Sequence, residues 1–257
     1  MFNWKKRQMD KKNKVQRLGV GLMTVNDPNH VVSEQFRTIR TNIQFAVEEF
    51  QLKTLMFTSS GPFEGKSTVA ANVATTMADL DGVRVLMIDG DLRKPTVHKT
   101  FGLHSRRGLT TYLTDRTVSY MDVCEYIQEV NLYVMPAGPL PPNPAELLSS
   151  KRMNDLLSDV SEVFDIVIID APPLLPVTDA QIIASRTDAT IFVLREGVAT
   201  YSNVQKSKGL LDSVNARVIG AIYNGADVSA MDAYYGYGYS DEEIELEEFK
   251  SEEDHAL

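Results

Sequence analysis

The 257-residue sequence predicts an α/β fold, in which a mostly parallel sheet carries helices on both faces. Short apolar runs alternate with longer helical stretches along most of the chain, as expected when strands are buried on both sides. Two of the apolar runs end in aspartates, and a third is followed by a glycine-containing loop that opens a helix. Polar groups at strand ends are typical of the ligand-binding edge of such a sheet.

Several segments of the chain have the pattern of a helix, a rigid connector or a strand. A first helix over residues 33–47 carries Phe36, Ile39, Ile43 and Val47 at three- and four-residue steps, the spacing of one helix face. The proline-rich segment 136–144 predicts a rigid connector that ends at a helix start, because proline fixes φ and suits the first helical turn. The predicted strands cover residues 54–58, 83–88, 132–135, 166–169, 190–194 and 217–222, and the other predicted helices cover residues 66–80, 144–163 and 203–214.

Composition narrows the class of protein. The hydrophobic fraction of 43% is ordinary for a globular protein, and a chain of this length can bury a sizeable core without disulfides or structural metal ions. Cys124 is the single cysteine of the sequence, which excludes an intrachain disulfide and favours a reducing compartment. No stretch approaches the roughly 20 apolar residues that span a bilayer. We therefore expect a cytoplasmic location.

Charge is distributed unevenly along the chain. The net charge is −9, but residues 240–257 hold nine acidic side chains and one lysine, while residues 1–17 hold seven lysines and arginines. We expect a basic leader over residues 1–30, a folded domain over residues 31–226 and a tail over residues 227–257. The leader either touches an anionic surface or is simply solvated. Because no basic stripe continues into the body, we expect no nucleic-acid partner.

A phosphate-binding loop is predicted where an apolar run gives way to a helix. Its backbone amides would converge on phosphates, Lys66 would contact the β- and γ-phosphates, and the Ser67 hydroxyl would bind Mg²⁺. The usual first glycine of such a loop is replaced by Ser60. The predicted nucleotide contacts from this loop are Ser60, Gly61, Pro62, Glu64, Gly65, Lys66, Ser67 and Thr68.

Three aspartates follow two of the apolar runs. Asp89 and Asp91 end one run, and Asp170 ends another. The carboxyl ends of parallel strands meet at one edge of the sheet, so we expect these side chains near Lys66. Carboxylates that face a triphosphate require a divalent cation between them. Each aspartate alone is equally consistent with a strand-end cap, but the set predicts a nucleotide site with Mg²⁺.

Five motifs together resemble one known family. They are the phosphate loop, the D-x-D-x-R strand end at 89–93, the D-x-P-P strand end at 170–173, an E-x-x-R-x-x-R helix at 34–40 and a C-terminal tyrosine cluster. This set resembles the bacterial protein-tyrosine kinases (BY-kinases), in the form that is not fused to a membrane-spanning half. The resemblance implies a P-loop NTPase-like kinase domain over residues 31–226 that uses ATP and Mg²⁺. It also implies a role in capsular and extracellular polysaccharide synthesis.

The resemblance assigns roles to individual residues. Asp91 joins Ser67 as a metal ligand, and Asp170 is a third one that acts directly or through water. Lys66 binds the phosphates, and Asp89 is the expected acceptor of the tyrosine proton, although Asp89 and Asp91 can exchange roles. Arg93 either steadies phosphate charge or pairs with a carboxylate. Asn224 is expected to read the adenine edge, with an Asx turn as the alternative. Phe63 stands where the family's loop usually has glycine, which predicts altered loop geometry.

The resemblance also predicts assembly and partners. Glu34, Arg37 and Arg40 lie on one side of a helix and are expected at the interface of a ring-like homo-oligomer, or else form a solvated, self-paired face. The expected partner is a membrane adaptor of the polysaccharide co-polymerase type, whose cytoplasmic tail activates the kinase and holds it at the membrane. The expected autophosphorylation sites, reached between protomers, are Tyr234, Tyr235, Tyr237 and Tyr239.

Two other functions remain open at this point. A partition or cell-division ATPase shares the expected fold, but that class carries a second lysine in the loop, at the position of Gly61 here. Such an ATPase also has no use for a tyrosine tail. A nucleotide-dependent scaffold would keep every binding motif without phosphoryl transfer.

Overall fold

A computed structural model describes residues 21–226 of the chain as a seven-stranded sheet with helices on both faces. The strands are β1 (Thr54–Ser59), β2 (Val85–Asp89), β3 (Glu125–Ile127), β4 (Leu132–Met135), β5 (Ile166–Asp170), β6 (Ala189–Arg195) and β7 (Val218–Asn224). The helices are α1 (Met23–Asn26), α2 (Val31–Phe50), α3 (Lys66–Ala78), α4 (Val97–Thr100), α5 (Leu109–Thr114), α6 (Pro144–Ser149), α7 (Lys151–Val163), α8 (Asp179–Ala184) and α9 (Tyr201–Ser213), with a 3₁₀ turn at Tyr120–Val123.

The strand order is β3-β4-β2-β5-β1-β6-β7, and the neighbouring strands run parallel except for the antiparallel pair β3–β4. The predicted fold class is confirmed. The loop after β1 and the carboxylates that end β2 and β5 lie at the same edge, since these three strands are adjacent. Asp89 and Asp170 pair directly in the β2–β5 register.

The central strands form because their side chains are apolar on both faces. Every residue of β1, β2 and β5 is buried, and hydrophobic clusters lie on each side of the sheet. One cluster is built around α7, α8 and their neighbours, and the other around α2 and α3. This burial on both faces explains why continuous apolar runs, rather than alternating patterns, mark the strands.

Some elements differ from the sequence prediction. The predicted helix over residues 144–163 is interrupted at Ser150, whose extended backbone ends α6 and whose hydroxyl accepts a hydrogen bond from the Met153 amide to start α7. The short strand β3 was not predicted, because its residues show an exposed, exposed, buried pattern that is too brief to signal a strand. Tertiary packing decides such short elements more than local pattern does.

The packed domain begins before the expected boundary at residue 31. Leu22 is fully buried, and the Thr24 hydroxyl and amide both contact the Asn72 side chain on α3. Residues just before α2 are therefore part of the folded body and not of the basic leader. Among the described residues, no helix is both long and apolar enough to cross a membrane.

Candidate active site

The loop between β1 and α3 has the backbone geometry of a phosphate cradle. Gly65 lies in the left-handed region with φ of 88°, and helix α3 starts at Lys66 directly after it. The first amides of a helix have no carbonyl partner within the helix, so they point outward as hydrogen-bond donors for an anion. Phe63 also adopts a positive φ of 67°, and its side chain is 84% exposed. A glycine would adopt this conformation without strain, whereas a phenylalanine adopts it at a cost in backbone energy. The replacement of the family's usual glycine by Phe63 therefore strains the loop.

The loop is held from behind by two strand ends. The Glu64 side chain is buried and accepts a hydrogen bond from the Gly61 amide at 2.6 Å. From the end of β7, Asn224 Nδ2 donates to the Glu64 carbonyl at 3.0 Å, and from the end of β6, Arg195 donates to the Phe63 carbonyl at 3.2 Å. These contacts tie the loop to the ends of β6 and β7 and to the Glu64 carboxylate.

Asn224 makes a contact with the phosphate loop that the sequence did not predict. Its side-chain amide supports the loop from below, and a Cβ added at Gly65 would lie 2.2 Å from this amide. The sequence contained no signal for this contact, because Asn224 and Glu64 are 160 residues apart. The expected adenine contact stays a prediction.

Lys66 gathers the predicted metal ligands around one cation. Its Nζ lies 3.1 Å from Asp170 Oδ1, 3.2 Å from Asp91 Oδ2 and 3.1 Å from the Ser67 hydroxyl. Side chains from the loop, from the end of β2 and from the end of β5 thus meet at one point. The structure brings together the residues that the sequence placed at a common edge.

Burial and charge compete at this cluster. Burial alone would lower the pKa of Lys66, but the Asp170 and Asp91 carboxylates outweigh it and raise the pKa above its usual value. Burial raises the pKa of Asp170, which is fully enclosed, while Lys66 opposes that rise. The ammonium group is thus the counter-charge of these two carboxylates beneath the loop.

Asp89 occupies a different position from Asp91. It is fully buried, and its two oxygens accept hydrogen bonds from the amides of Asp91, Thr96 and Val97 at 3.0 to 3.3 Å. Burial, followed by the nearby Asp170 charge, raises the pKa of Asp89 to about 8. The expected contact between Asp89 and a tyrosine hydroxyl stays a prediction, and this geometry does not favour it, since the carboxylate faces backbone amides of its own loop. Asp91, by contrast, lines the open cleft.

The residues at the cluster suit a magnesium ion. Two carboxylates and one hydroxyl meet there, and Asp170 Oδ2 is buried without a hydrogen-bond partner in the described part of the chain. Within the described residues no group of three carboxylate, histidine or cysteine side chains forms a complete metal cage. This donor set fits Mg²⁺, which keeps waters and phosphate oxygens in its coordination shell and takes few protein ligands.

A cleft of about 770 Å³ opens above the loop. This volume is in the range of small-molecule sites. Among the predicted contacts, Ser60 and Glu64 are buried beneath the loop instead of lining the cleft. Side chains that the sequence reading did not single out complete the wall. The residues that line the cleft include Pro62, Lys66, Ser67, Thr68, Asp91, Arg93, Lys94 and Lys99.

Arg93 pairs with a carboxylate that the sequence did not identify. Its Nε and Nη2 donate to the two oxygens of Asp179 on α8 at 2.8 and 3.0 Å. The Asp179 side chain is fully buried, whereas that of Arg93 is 42% exposed. Of the two roles left open for Arg93, this bidentate pair favours the structural one.

We expect Arg93→Gln to lower the free energy of unfolding by about 1–2 kcal/mol, because it leaves the buried Asp179 carboxylate without its cation while solvent screens the exposed arginine. Urea unfolding followed by circular dichroism measures this change, with Lys206→Gln on α9 as the exposed control. Mg-ADP affinity should fall less than about threefold, since the guanidinium is committed to Asp179. A large loss of affinity with unchanged stability would assign Arg93 to the phosphates instead.

The E-x-x-R-x-x-R residues are divided between two environments. Arg37 pairs with Glu34 and donates to the Pro28 carbonyl at 2.8 Å, so these charges are self-paired on the outer surface of α2. Arg40 donates to the Thr76 carbonyl of α3 at 3.1 Å and so anchors α2 to the domain. The interface expectation stays a prediction. The predicted tyrosines at 234, 235, 237 and 239 lie outside the described residues.

Comparisons with known proteins identify the family of this chain. A family model described as an AAA domain matches residues 61–206. The tyrosine-protein kinase YwqD of Bacillus subtilis is 42% identical over 231 residues, 90% of this chain and 97% of that protein. The putative tyrosine-protein kinase CapB of Staphylococcus aureus is 38% identical, over 82% of this chain and 91% of that protein. The solved kinase domain of Escherichia coli ETK superposes with a TM-score of 0.77 at 32% identity, covering 88% of each chain.

The rival class shares only the fold. The cell-division ATPase MinD of Pyrococcus furiosus superposes with a TM-score of 0.57 at 22% identity, over 74% of each chain. Likeness at this level shows a common fold and carries no argument about activity. Relatives above 30% identity, which this chain covers over more than 90% of their length, are tyrosine-protein kinases by name. The chain therefore belongs to the bacterial protein-tyrosine kinases.

Proposed function

We propose that this kinase transfers the γ-phosphoryl group of ATP to tyrosines 234, 235, 237 and 239 of a neighbouring copy, and thereby regulates capsular or extracellular polysaccharide synthesis. The observation that carries the proposal is the convergence of Ser67, Asp91 and Asp170 on the Lys66 ammonium, at the floor of an open cleft. Such a cluster provides the positive and negative charges that phosphoryl transfer requires. Membership of the kinase family supports the same conclusion.

The loop and Lys66 form the proposed phosphate site. When ATP enters, its γ-phosphate offers Lys66 a partner, so the ammonium can leave Asp91 and Asp170. Asp170 and the Ser67 hydroxyl would then be available to hold Mg²⁺, which would neutralise phosphate charge during transfer, and Asp91 would be free to accept a proton. Lys66 thus acts as the counter-charge of the carboxylates before ATP binds and of the phosphates afterwards.

The chemical step needs a tyrosine hydroxyl in line with the γ-phosphate. The phenol oxygen forms the new bond to phosphorus, the bond to the β-phosphate oxygen breaks, ADP leaves and the phenol proton passes to a carboxylate. We assign this proton to Asp91, because Asp91 lines the cleft whereas Asp89 is enclosed by loop amides. Asp89 then acts as a positioning residue that holds the Asp91 loop.

Transfer between copies is supported by the outer surface of α2. Exposed residues recur there at three- and four-residue steps, and the 64%-exposed Phe45 lies on the same stripe as Glu34 and Thr38. An exposed aromatic ring beside a charged pair is typical of a protein interface. We propose that this stripe, with Arg37 beside it, contacts the neighbouring protomer in a ring-like homo-oligomer.

A membrane adaptor of the polysaccharide co-polymerase type is the proposed activator. Its cytoplasmic tail would bind this kinase and hold it at the membrane, as membership of the family suggests. An anti-phosphotyrosine blot with Mg-ATP, in the presence and absence of a co-polymerase cytoplasmic tail, measures this activation. Equal signal in both samples would contradict the adaptor's role without affecting the assignment of the kinase site.

Transfer between copies can be tested by mixing two full-length variants. One carries Lys66→Met with an intact tail, and the other is active but has phenylalanine at positions 234, 235, 237 and 239. We expect phosphotyrosine to appear on the Lys66→Met chain, because its tail can enter the neighbour's cleft. A size tag on one chain separates the two on a blot probed for phosphotyrosine.

Each variant incubated alone is the control and should show little phosphotyrosine. Mass spectrometry of the labelled chain should find the phosphates mainly at the four tail tyrosines. If the Lys66→Met chain stays unlabelled while wild-type protein labels itself, transfer occurs within one chain and the proposal is contradicted. Phosphates found mainly in the described domain would contradict the choice of acceptor.

A further inference from the structure

Two unpaired lysines stand at the wall of the cleft. Lys94 and Lys99 both line it and are both exposed. Within the described residues neither side chain has an ion-pair or hydrogen-bond partner, whereas the adjacent Arg93 is neutralised by Asp179. The cleft wall therefore carries two positive charges that the catalytic cluster does not use.

The backbone segments that carry these lysines are held by the carboxylates of the reaction centre. The Lys94 amide donates to Asp91 Oδ1 at 3.0 Å, and the amide that begins helix α4, on which Lys99 lies, donates to Asp89 Oδ2 at 3.0 Å. Asp89 thus has a second role, because it fixes the segment that carries both charges. Flexible surface lysines would not have their backbone tied to the active site in this way.

The tail offers the matching charges. The sequence continues from Tyr239 through Ser240 into Asp241, Glu242 and Glu243, and the acidic run extends to residue 248. A carboxylate two residues beyond a tyrosine lies at most about 7 Å further along an extended chain. When a tail tyrosine is at the cluster, the acidic run must leave the cleft close to its wall.

We propose that Lys94 and Lys99 recognise acidic residues on the C-terminal side of the phosphorylated tyrosine, and so select this chain's tail as the substrate. This inference rests on the proposed tyrosine transfer and adds its specificity. Opposite charges that meet at an exposed cleft rim contribute modestly to affinity and more to the rate of association and to selectivity. The same recognition predicts a class of external substrate, namely peptides with a tyrosine followed by several acidic residues.

The experiment compares two peptides that cover residues 229–248. One is native, and the other, the neutral peptide, is made uncharged at positions 241–243 only, through Asp241→Asn, Glu242→Gln and Glu243→Gln. The enzyme is the full chain with its four tail tyrosines replaced by phenylalanine, so that its own tail takes no phosphate. We expect the KM for the neutral peptide to be roughly three- to tenfold higher than for the native peptide at low ionic strength, with similar kcat. Added salt should shrink this difference.

The variant Lys94→Gln/Lys99→Gln should raise the KM for the native peptide to the value for the neutral one. Lys206→Gln, which removes an exposed lysine outside the cleft, should retain the full difference. Charge reversal provides a rescue, since Lys94→Glu/Lys99→Glu should prefer a peptide with lysines at positions 241–243. Thermal melting should be unchanged in these variants, because neither lysine has a partner to lose.

The outcomes separate this inference from the proposed function. If wild-type chain phosphorylates both peptides with equal KM, the lysines do not read the acidic run and the inference is overturned, while the kinase assignment stands. If Lys94→Gln/Lys99→Gln weakens Mg-ADP binding as strongly as peptide use, the lysines serve the nucleotide, and the inference is again overturned. If neither peptide receives phosphate while Mg-ADP binds normally, tyrosine transfer to the tail itself fails.

Discussion

Lys66→Met is expected to abolish autophosphorylation, with a loss on the order of 10³-fold. The ammonium group is the cation that the site offers to the transferred phosphate, and methionine keeps its length without its charge. Purified protein incubated with Mg-ATP and probed for phosphotyrosine measures the effect. A signal that persists unchanged would contradict the placement of the active site at this loop.

The same substitution should destabilise the nucleotide-free protein. Asp91 and Asp170 lose their counter-charge while they remain buried, which costs roughly 3 kcal/mol at neutral pH. Burial already raises the pKa of Asp170, and without the opposing Lys66 charge its folded-state pKa lies further above the unfolded value, so stability falls as pH rises through that window. The gap to wild type should therefore be smaller near about pH 5 than near about pH 8. Lys206→Met is the matched control, and both comparisons need only thermal melting.

Gly65→Ala should nearly eliminate nucleotide binding while most of the fold survives. The backbone at Gly65 has a φ of 88°, and an added Cβ would lie 2.2 Å from Asn224 Nδ2. The loop then has to shift, or Asn224 has to release the Glu64 carbonyl, and either change moves the amides that face the phosphates. We expect Mg-ADP affinity, measured by titration calorimetry, to fall by about 100-fold, which equals about 2.7 kcal/mol.

Gly82→Ala is the matched control for this effect. Gly82 has a φ of 77°, so alanine there carries a similar left-handed strain, but no atom lies within 4 Å of its added Cβ. It should lower the melting temperature slightly and leave Mg-ADP affinity unchanged. The double variant Gly65→Ala/Asn224→Ala removes the clash and keeps the strain. If Gly65→Ala alone binds Mg-ADP like wild type, the loop does not have the proposed contact with phosphate.

The long, strongly patterned elements were predictable from the sequence, whereas short ones were not. The central strands appear as continuous apolar runs because both of their faces are buried, and α3 follows directly from the Gly-Lys-Ser signal of the loop. The edge strand β3 is only three residues long, and the interruption at Ser150 depends on one hydroxyl, so no periodicity indicates either feature.

For the site, the sequence indicated which residue types meet but not how each one is used. That Lys66, Ser67, Asp91 and Asp170 share one edge follows from strand ends in a parallel sheet, a rule that needs no coordinates. The pairing of Arg93 with Asp179 joins residues 86 positions apart. Nothing local in either segment distinguishes that aspartate from any other helix-start carboxylate.

The sequence by itself determined the fold class, the nucleotide loop and the kinase family, because each is written in local patterns: apolar runs, a glycine turn and motif spacing. Only the tertiary structure decided that Asp89 faces its own loop, that Asn224 supports the phosphate cradle and that Lys94 and Lys99 at the cleft wall have no side-chain partner among residues 21–226. The physical reason is that direction and partnership of a side chain are set by whatever the fold brings against it. Local sequence carries the chemistry of a residue, and packing decides which atoms that chemistry meets.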